Sequence, residues 1–474
     1  DGSLKAEHGT GRNIAPYVEM EWGREAYAVM QRIKTIFDPN NRLNPGVILN
    51  ANPRIHVENL KPLPPADPII DTCIECGFCE ANCPSKNLTL TPRQRIVVQR
   101  EIARLRGTCE NPARLAVLED GYRYPGEQTC AADGLCAEAC PVDINTGEHT
   151  KQLRRRAVSP AAARAADAVA DHFGRTAALI RTGLKTADAI HGLLGSGRMA
   201  GLTAGLRRLS GNRLPHWTPR MPRGVEGPRP QPVRASNTRQ AVYFPSCISR
   251  TMGPAQGDPD RDPLHAVTMR LLEKAGFQVR FPERMEALCC GTPFESKGFM
   301  AQADAKSAEL EAALLDASDG GRLPVLVDTS PCLYRMKKVM DQRLKLLDPI
   351  EFTLTHLLER IEITPVNETI AYHHTCSSVK MGIEPRAMAL ARACAREVVV
   401  PDLVGCCGFA GDRGFNYPEL NASALQHLRA GVAGKCRAGY STSRTCEIGL
   451  SAHSGIHYKS ILYLVDRCSR PKRN

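Results

Sequence analysis

The sequence predicts a multidomain chain of mixed α+β and α/β class, in which a small cysteine-organised helical domain precedes two repeated α/β units. Three observations carry that prediction. A run of cysteines and prolines spans Cys73 to Pro141, a four-cysteine pattern containing Cys-Cys-Gly occurs twice after residue 239, and an Ala-rich basic stretch of helical periodicity separates them. At 474 residues the chain has room for about three or four domains, each burying its own core. The divisions expected from composition and pattern are 1–51, 52–71, 72–153, 154–238, 239–360 and 361–474.

Residues 1–51 begin with a Gly-rich loop, Gly2 to Arg12, containing adjacent Glu7 and His8. A carboxylate binds divalent cations and an imidazole titrates near neutrality, so the pair suits a metal ligand beside a base, although most such pairs are surface decoration. An amphipathic helix is expected from about Glu21 to Phe37, followed by a turn-rich stretch from Asp38 to Gly46. Residues 52–71, with five prolines, read as an extended, semi-rigid spacer.

Residues 72–153 hold Cys73, Cys76, Cys79 and Cys83-Pro84, then Cys130, Asp133, Cys136 and Cys140-Pro141. The first set is the C-x2-C-x2-C-x3-C-P spacing of a bacterial ferredoxin [4Fe-4S] cluster, in which the fourth Cys serves the partner cluster. Crossed pairing follows: Cys73, Cys76, Cys79 and Cys140 for cluster one, and Cys130, Cys136, Cys83 and position 133 for cluster two. An Asp stands at 133 where a Cys is expected, and a carboxylate is the harder, poorer ligand for iron-sulfide. Three readings stay open for cluster two: [4Fe-4S] with Asp133 as fourth ligand, [3Fe-4S] with an empty corner, or completion by Cys109. Zinc is the competing reading of paired C-x2-C motifs, opposed by the third Cys in register and the two Cys-Pro endings. Pro92 to Arg106 reads as a helix whose basic face, including Arg95 and Arg100, is solvated.

Residues 154–238 form the basic connector. From Lys151 to Arg239 there are 17 Lys/Arg and four acids, an excess of 13 that accounts for the whole net charge of +12. Helical periodicity runs through Val169, Phe173, Leu184 and Ile190, and Gly and Pro then dominate from Gly192. The segment lacks the interleaved aromatics of a nucleic-acid binder; attraction to an anionic membrane surface is weighed instead against an ordinary connector with solvated arginines.

Residues 239–474 repeat. Unit one has Cys247, Cys289-Cys290-Gly291 and Cys332; unit two has Cys376, Cys406-Cys407-Gly408 and Cys446. Strand-like runs, Ala241 to Phe244 and Thr369 to Tyr372, precede the first Cys of each, and an acid and a base follow each Cys-Cys-Gly: Glu295 and Lys297, Asp412 and Arg413. Four thiolates from three distant loops suit a metal or cluster, so a [4Fe-4S] cluster competes with zinc and with a redox-active thiol site in each unit. Cys109, Cys394, Cys436 and Cys468 fall outside these sets and are expected to be buried as small hydrophobes. The 19 Cys grouped in ligand spacings point to a reducing cytoplasm rather than a disulfide framework.

Glu7-His8-Gly9-Thr10-Gly11, with Phe37-Asp38-Pro39 and Leu43-Asn44-Pro45-Gly46, resembles the end of the FAD-linked oxidase C-terminal domain of D-lactate dehydrogenases, glycolate oxidase and D-2-hydroxyglutarate dehydrogenase. The resemblance implies that Glu7 ligates a divalent metal (Zn or Mn), that His8 is the base on the substrate hydroxyl, and that Asn44 lines the flavin pocket. It also implies an FAD-binding domain ahead of Asp1, with this chain a C-terminal half. The repeats resemble the Cys-Cys-Gly domains of heterodisulfide reductase and of the iron-sulfur subunits of glycolate oxidase and anaerobic glycerol-3-phosphate dehydrogenase. The reductase has a C-x-x-C where this chain has Thr329 before Cys332 and Ser443 before Cys446. Together the resemblances imply the iron-sulfur half of a flavin-dependent dehydrogenase of small D-2-hydroxy acids, D-lactate first, passing electrons to quinone or cytochrome. D-2-hydroxyglutarate, glycolate and a non-catalytic electron-transfer subunit are the alternatives. A cytoplasmic protein with peripheral contact on the inner face of the membrane, and no nucleic-acid partner, is the expected setting.

Overall fold

Two parallel four-stranded sheets and a layer of helices ahead of them make up most of the protein, as seen in a computed structural model that describes residues 11–60, 62–212, 214–229 and 239–472. Glu7 and His8 lie outside the described residues. The chain divides after Pro64 into two compact units.

In the first unit, α1 (Val18–Phe37) starts three residues earlier than the periodicity suggests and breaks at Gly23, whose φ of 78° is left-handed. The following turn is held by Asp38, whose carboxylate accepts from the Arg42 and Leu43 amides, both at 2.8 Å, and from Lys34 at 2.5 Å. Those partners, Lys34 foremost, lower its pKa to about 2. Asn44 sits exposed in the same turn with φ of 42°.

The second unit opens where a spacer was expected. Residues 65–71 pack instead of extending: Ile70 is fully buried with Cys73, Ile96 and Ile144, and Asp67 pairs with Arg156 at 3.0 Å. Helix α2 (Pro92–Thr108) begins at a capping box in which Thr91 and Gln94 each bond the other's backbone. It is followed by α3 (Pro112–Tyr122), the single turn α4 (Leu135–Glu138) and α5 (Thr146–Arg156), capped by Asn145. The connector is helical further than its composition suggests. After α6 (Pro160–Asp171), α7 runs Phe173–Leu209 through the Gly-rich stretch, broken only at Gly195.

The first sheet contains β1 (Arg239–Phe244), β2 (Phe277–Arg280), β3 (Pro324–Val327) and β4 (Lys345–Leu347) in the order β2-β1-β3-β4. The second contains β5 (Val366–Tyr372), β6 (Ala395–Val399), β7 (Ala438–Ser441) and β8 (Tyr458–Ser460) in the order β6-β5-β7-β8, the same topology repeated. All six pairings within these sheets are parallel, with Val242 opposite Val325 and Tyr440 opposite Tyr372. Parallel strands need crossovers and are buried on both faces, which explains the apolar runs Ala241–Phe244 and Ile370–Tyr372. A single apolar core crosses the repeat boundary, joining Tyr243, Leu271 and Phe352 to Tyr372, Leu390 and Ile461. The two repeats are thus one body. Among the described residues no helix is long and apolar enough to cross a membrane.

Candidate iron-sulfur and thiol sites

Cys73, Cys76, Cys79 and Cys140 line one pocket of about 360 Å³, partly open to solvent, with Pro92 and Arg93 at the start of α2 on its wall. The two cysteine runs therefore interleave. Gly77, with φ of 88°, lets the loop between Cys76 and Cys79 curl in a left-handed turn. The amide of Glu75 points at the Cys73 sulfur at 3.4 Å, and burial pushes the Cys79 thiol up to about 11. The N-terminus of α2 contributes the positive end of its dipole to a site that is anionic when thiolates and cluster are present.

The second set gathers around another face of α2. Arg95 is buried and donates to Gly126 O at 2.9 Å, to Ser85 Oγ at 2.8 Å and to the Cys83 sulfur at 3.6 Å. Arg154 is buried beside it and donates to the Cys130 and Glu127 carbonyls at 2.9 and 2.6 Å. Burial works against ionisation of Cys130, but these two guanidiniums outweigh it and hold the thiol below its ordinary value. Cys136, within 3.3 Å of the Thr146 hydroxyl, is raised by burial to about 11.

Asp133 lies among these thiols. One carboxylate oxygen accepts from the Leu135 amide at 3.0 Å; the other is buried with no hydrogen-bond partner among the described residues. Burial chiefly raises the thiols of Cys83 and Cys136, with the Asp133 charge adding to it. The helix Cys376–Lys380 of the second repeat packs against α4, which begins two residues after Asp133. Cys109 is exposed at the left-handed C-terminal residue of α2, with φ of 55°, and its sulfur contacts its own helix end at Arg106 O. It is neither buried nor placed to complete the second set.

In each repeat the four thiols form a connected series at the carboxyl ends of the parallel strands, where ligands of open α/β sheets bind. Cys247 contacts Cys289, which contacts Cys290, which contacts Cys332; Cys376, Cys406, Cys407 and Cys446 repeat the series. Cys247 and Cys376 open short helices capped by Ser246 and Thr375 just after the central strands. Cys332 and Cys446 lie near the starts of the helices Ser330–Val339 and Arg444–Ser454. The glycine after each pair is required twice over. Gly291 (φ 86°) and Gly408 (φ 70°) are left-handed, and a Cβ there would lie 2.3 Å from Ala303 O and 2.7 Å from Leu420 O. Their own amides turn onto sulfur: Gly291 N to Cys289 at 3.4 Å and Gly408 N to Cys406 at 3.3 Å. Thr329 and Ser443, in the positions where the reductase has cysteine, are buried hydroxyls, Thr329 bonded to Ser246 at 2.7 Å.

Among the described residues no three His, Cys, Asp or Glu side chains are arranged around a single ion. A cube of irons asks for something else, four sulfurs around one space with each on its own iron, and Cys73, Cys76, Cys79 and Cys140 supply four thiols to the lining of one pocket. Three family models match the chain: FAD linked oxidases, C-terminal domain, over residues 1–48; 4Fe-4S dicluster domain over 72–144; and cysteine-rich domain over 241–337 and 370–450. The chain joins a FAD-linked oxidase tail to a 4Fe-4S dicluster domain and a repeated cysteine-rich domain.

Similar proteins agree with that composition. Glycolate oxidase subunit GlcD of Bacillus subtilis is 41% identical over 56 residues, 12% of this chain and 12% of its own. The mitochondrial D-lactate dehydrogenase [cytochrome] of Arabidopsis thaliana is 45% identical over 49 residues, 10% and 9% of the two chains. The D-2-hydroxyglutarate dehydrogenase of Pseudomonas putida is 30% identical over 196 residues, 30% of this chain and 19% of its own. The chain thus matches between about a tenth and a fifth of the length of these relatives.

The dicluster domain is clamped to both cysteine-rich units by the charges that follow each Cys-Cys-Gly. Glu295 takes Lys151 at 2.5 Å and also pairs with Arg335; Arg413 donates to Gln128 O at 2.7 Å; Lys297 pairs with Asp412 across the repeat. Arg154 bridges to Ser296 O at 2.8 Å, and Tyr124 reaches Glu419 at 2.7 Å. The repeated acid and base are visible in the sequence, but their role as clamps is not. Arg95 and Arg100, expected on a solvated face, are both buried; Arg100 bonds Glu75 at 3.1 Å and Cys73 O at 2.9 Å. The signal lay in their spacing: positions 93, 96 and 100 of α2 share the side that faces the first cysteine loop, and 95 faces the second.

Proposed function

We propose that this chain is the electron-transfer part of a flavin-dependent dehydrogenase of small D-2-hydroxy acids, with D-lactate as substrate and quinone or cytochrome as final acceptor. The observation that carries the reading is contiguity. A FAD-linked oxidase tail runs into a dicluster domain whose second cysteine run packs, through α4, against the helix Cys376–Lys380 that opens the thiol set of the second cysteine-rich unit. In this reading Cys73, Cys76, Cys79 and Cys140 hold one [4Fe-4S] cluster. Cys83, Cys130 and Cys136 hold a second, with Asp133, one of whose carboxylate oxygens is buried without a hydrogen-bond partner among the described residues, as its fourth ligand.

When bound, flavin accepts hydride and the clusters move single electrons. The residues of the chain set the conditions for that traffic. Arg95 and Arg154 stabilise negative charge at the second set, and Arg413 and Glu295 fix its distance from the cysteine-rich units. Outside the described residues, Glu7 would hold a divalent metal and His8 would accept the proton of the substrate hydroxyl, while Asn44 would line the flavin pocket. The cysteine-rich thiols, Cys247, Cys289, Cys290, Cys332, Cys376, Cys406, Cys407 and Cys446, carry the electrons outward, as further cluster ligands or as redox thiols.

The test is anaerobic bleaching of flavin in the flavin-containing holoprotein by D-lactate, L-lactate, glycolate and D-2-hydroxyglutarate. Fast bleaching by D-lactate, followed by loss of iron-sulfur absorbance near its visible maximum, is expected. Bleaching by none of the four acids overturns the dehydrogenase reading, and bleaching by glycolate or D-2-hydroxyglutarate alone overturns the choice of substrate.

A further inference from the structure

Between Asp188 and Glu226 the chain carries six arginines, Arg198, Arg207, Arg208, Arg213, Arg220 and Arg223, and no acid. The part of α7 beyond Gly195 runs through this stretch, and its inner face is bolted down. Met199 is buried, and Arg207 donates to the carbonyls of Phe415 and Asn416 at 3.4 and 3.0 Å. The outer face is bare. Leu202 and Leu209, seven residues apart on one side, have 46 and 87% of their surface exposed, and Leu206, 46% exposed, borders the side of Met199. Arg198 and Arg208 stand exposed beside Leu202 and Leu209.

Single exposed leucines are ordinary; two of them on the outer face of an anchored helix, beside the exposed Arg198 and Arg208, form an amphipathic cationic surface. Charge selects the occupant. A second copy would bring the same cationic face against itself, and the surface carries no aromatic side chain on which nucleic-acid bases stack. An anionic lipid surface satisfies both halves, phosphate for arginine and acyl chain for leucine.

We propose that the outer face of α7 from Arg198 to Leu209 docks the protein on membranes containing anionic lipids. Arg198 and Arg208 pair with headgroup phosphates, and Leu202 and Leu209 enter the acyl boundary. The inference stands independently of the substrate reading, and it delivers the chain to an acceptor dissolved in the membrane.

Vesicle flotation of the full chain tests it, comparing pure phosphatidylcholine with phosphatidylcholine containing about one third phosphatidylglycerol. Binding to the anionic vesicles, weak binding to the neutral ones and release by salt are expected. The double variants Arg198→Glu/Arg208→Glu and Leu202→Asp/Leu209→Asp should each lower partitioning by about tenfold or more while leaving circular dichroism and melting temperature unchanged. No binding to anionic vesicles, or binding that neither variant lowers, overturns the proposal. So does concentration-dependent dimerisation abolished by the leucine variant, which would assign the face to a second copy.

Discussion

Arg95 shows how a charged side chain is used in the interior of the dicluster domain. It is 2% exposed, has no carboxylate partner among the described residues and is satisfied by two carbonyls, a hydroxyl and the Cys83 sulfur. A buried cation with so few formal counter-charges is expensive unless an anion is bound beside it, and a thiolate-ligated cluster is such an anion. Arg95→Met keeps much of the volume and removes the donors. It should destabilise the chain by about 2–4 kcal/mol, read from urea unfolding, because Ser85 and Gly126 O lose their partner in a dry site. It should also move the reduction potential of the second cluster to more negative values, read by redox titration, since less positive charge then faces the added electron.

At the scale of elements, the Cys-Cys-Gly turns and the helix caps carry sharper demands than their composition suggests. Gly408→Ala places a methyl 2.7 Å from Leu420 O in a left-handed turn. The strain alone costs about 1–2 kcal/mol. The clash adds to it and moves Cys406 and Cys407, so both melting temperature and metal content should fall. Asp348 offers a pH test. It caps the helix Pro349–Phe352 through the Glu351 amide at 2.7 Å, while its second oxygen is buried without a hydrogen bond among the described residues. Burial raises its pKa to about 7. A carboxyl with a raised folded pKa keeps its full stability contribution below about pH 4, where the unfolded chain is protonated too, and loses it as pH rises to about 7. Asp348→Asn should flatten that decline between about pH 4 and 7, measured by denaturant midpoints.

The same scale shows how much was legible in the sequence. Ligand spacings, the repeat, its strands and the helix after Pro92 are written in local patterns, since thiol chemistry and parallel pairing each require a recognisable spacing. The burial of Arg95 and Arg100 was not, because a basic helix face reads as solvated until the partner loops are folded over it. Nor was the helicity of residues 192–209. Glycine propensity argues against helix, and packing of Met199 and Arg207 overrides a weak local preference. The packing of residues 65–71 was hidden similarly, since prolines signal extension while Ile70 and Asp67 supply tertiary partners.

Seen as a whole molecule, the second compact unit is a series of thiol sites held at fixed separations by clamps. Lys151–Glu295, Arg413 to Gln128 O and Lys297–Asp412 join three covalently distant segments around the second cysteine set. Such clamps matter for electron transfer because rates depend on distance, and a rigid frame keeps distances constant through turnover. The central claim, that the interleaved cysteine runs hold two iron-sulfur clusters, has a direct test in the anaerobically purified chain. Elemental and sulfide analysis combined with electron paramagnetic resonance during dithionite reduction should find at least about eight irons with matching sulfide and two mutually broadened cluster signals. Zinc in place of iron, or a single isolated cluster signal, would contradict it.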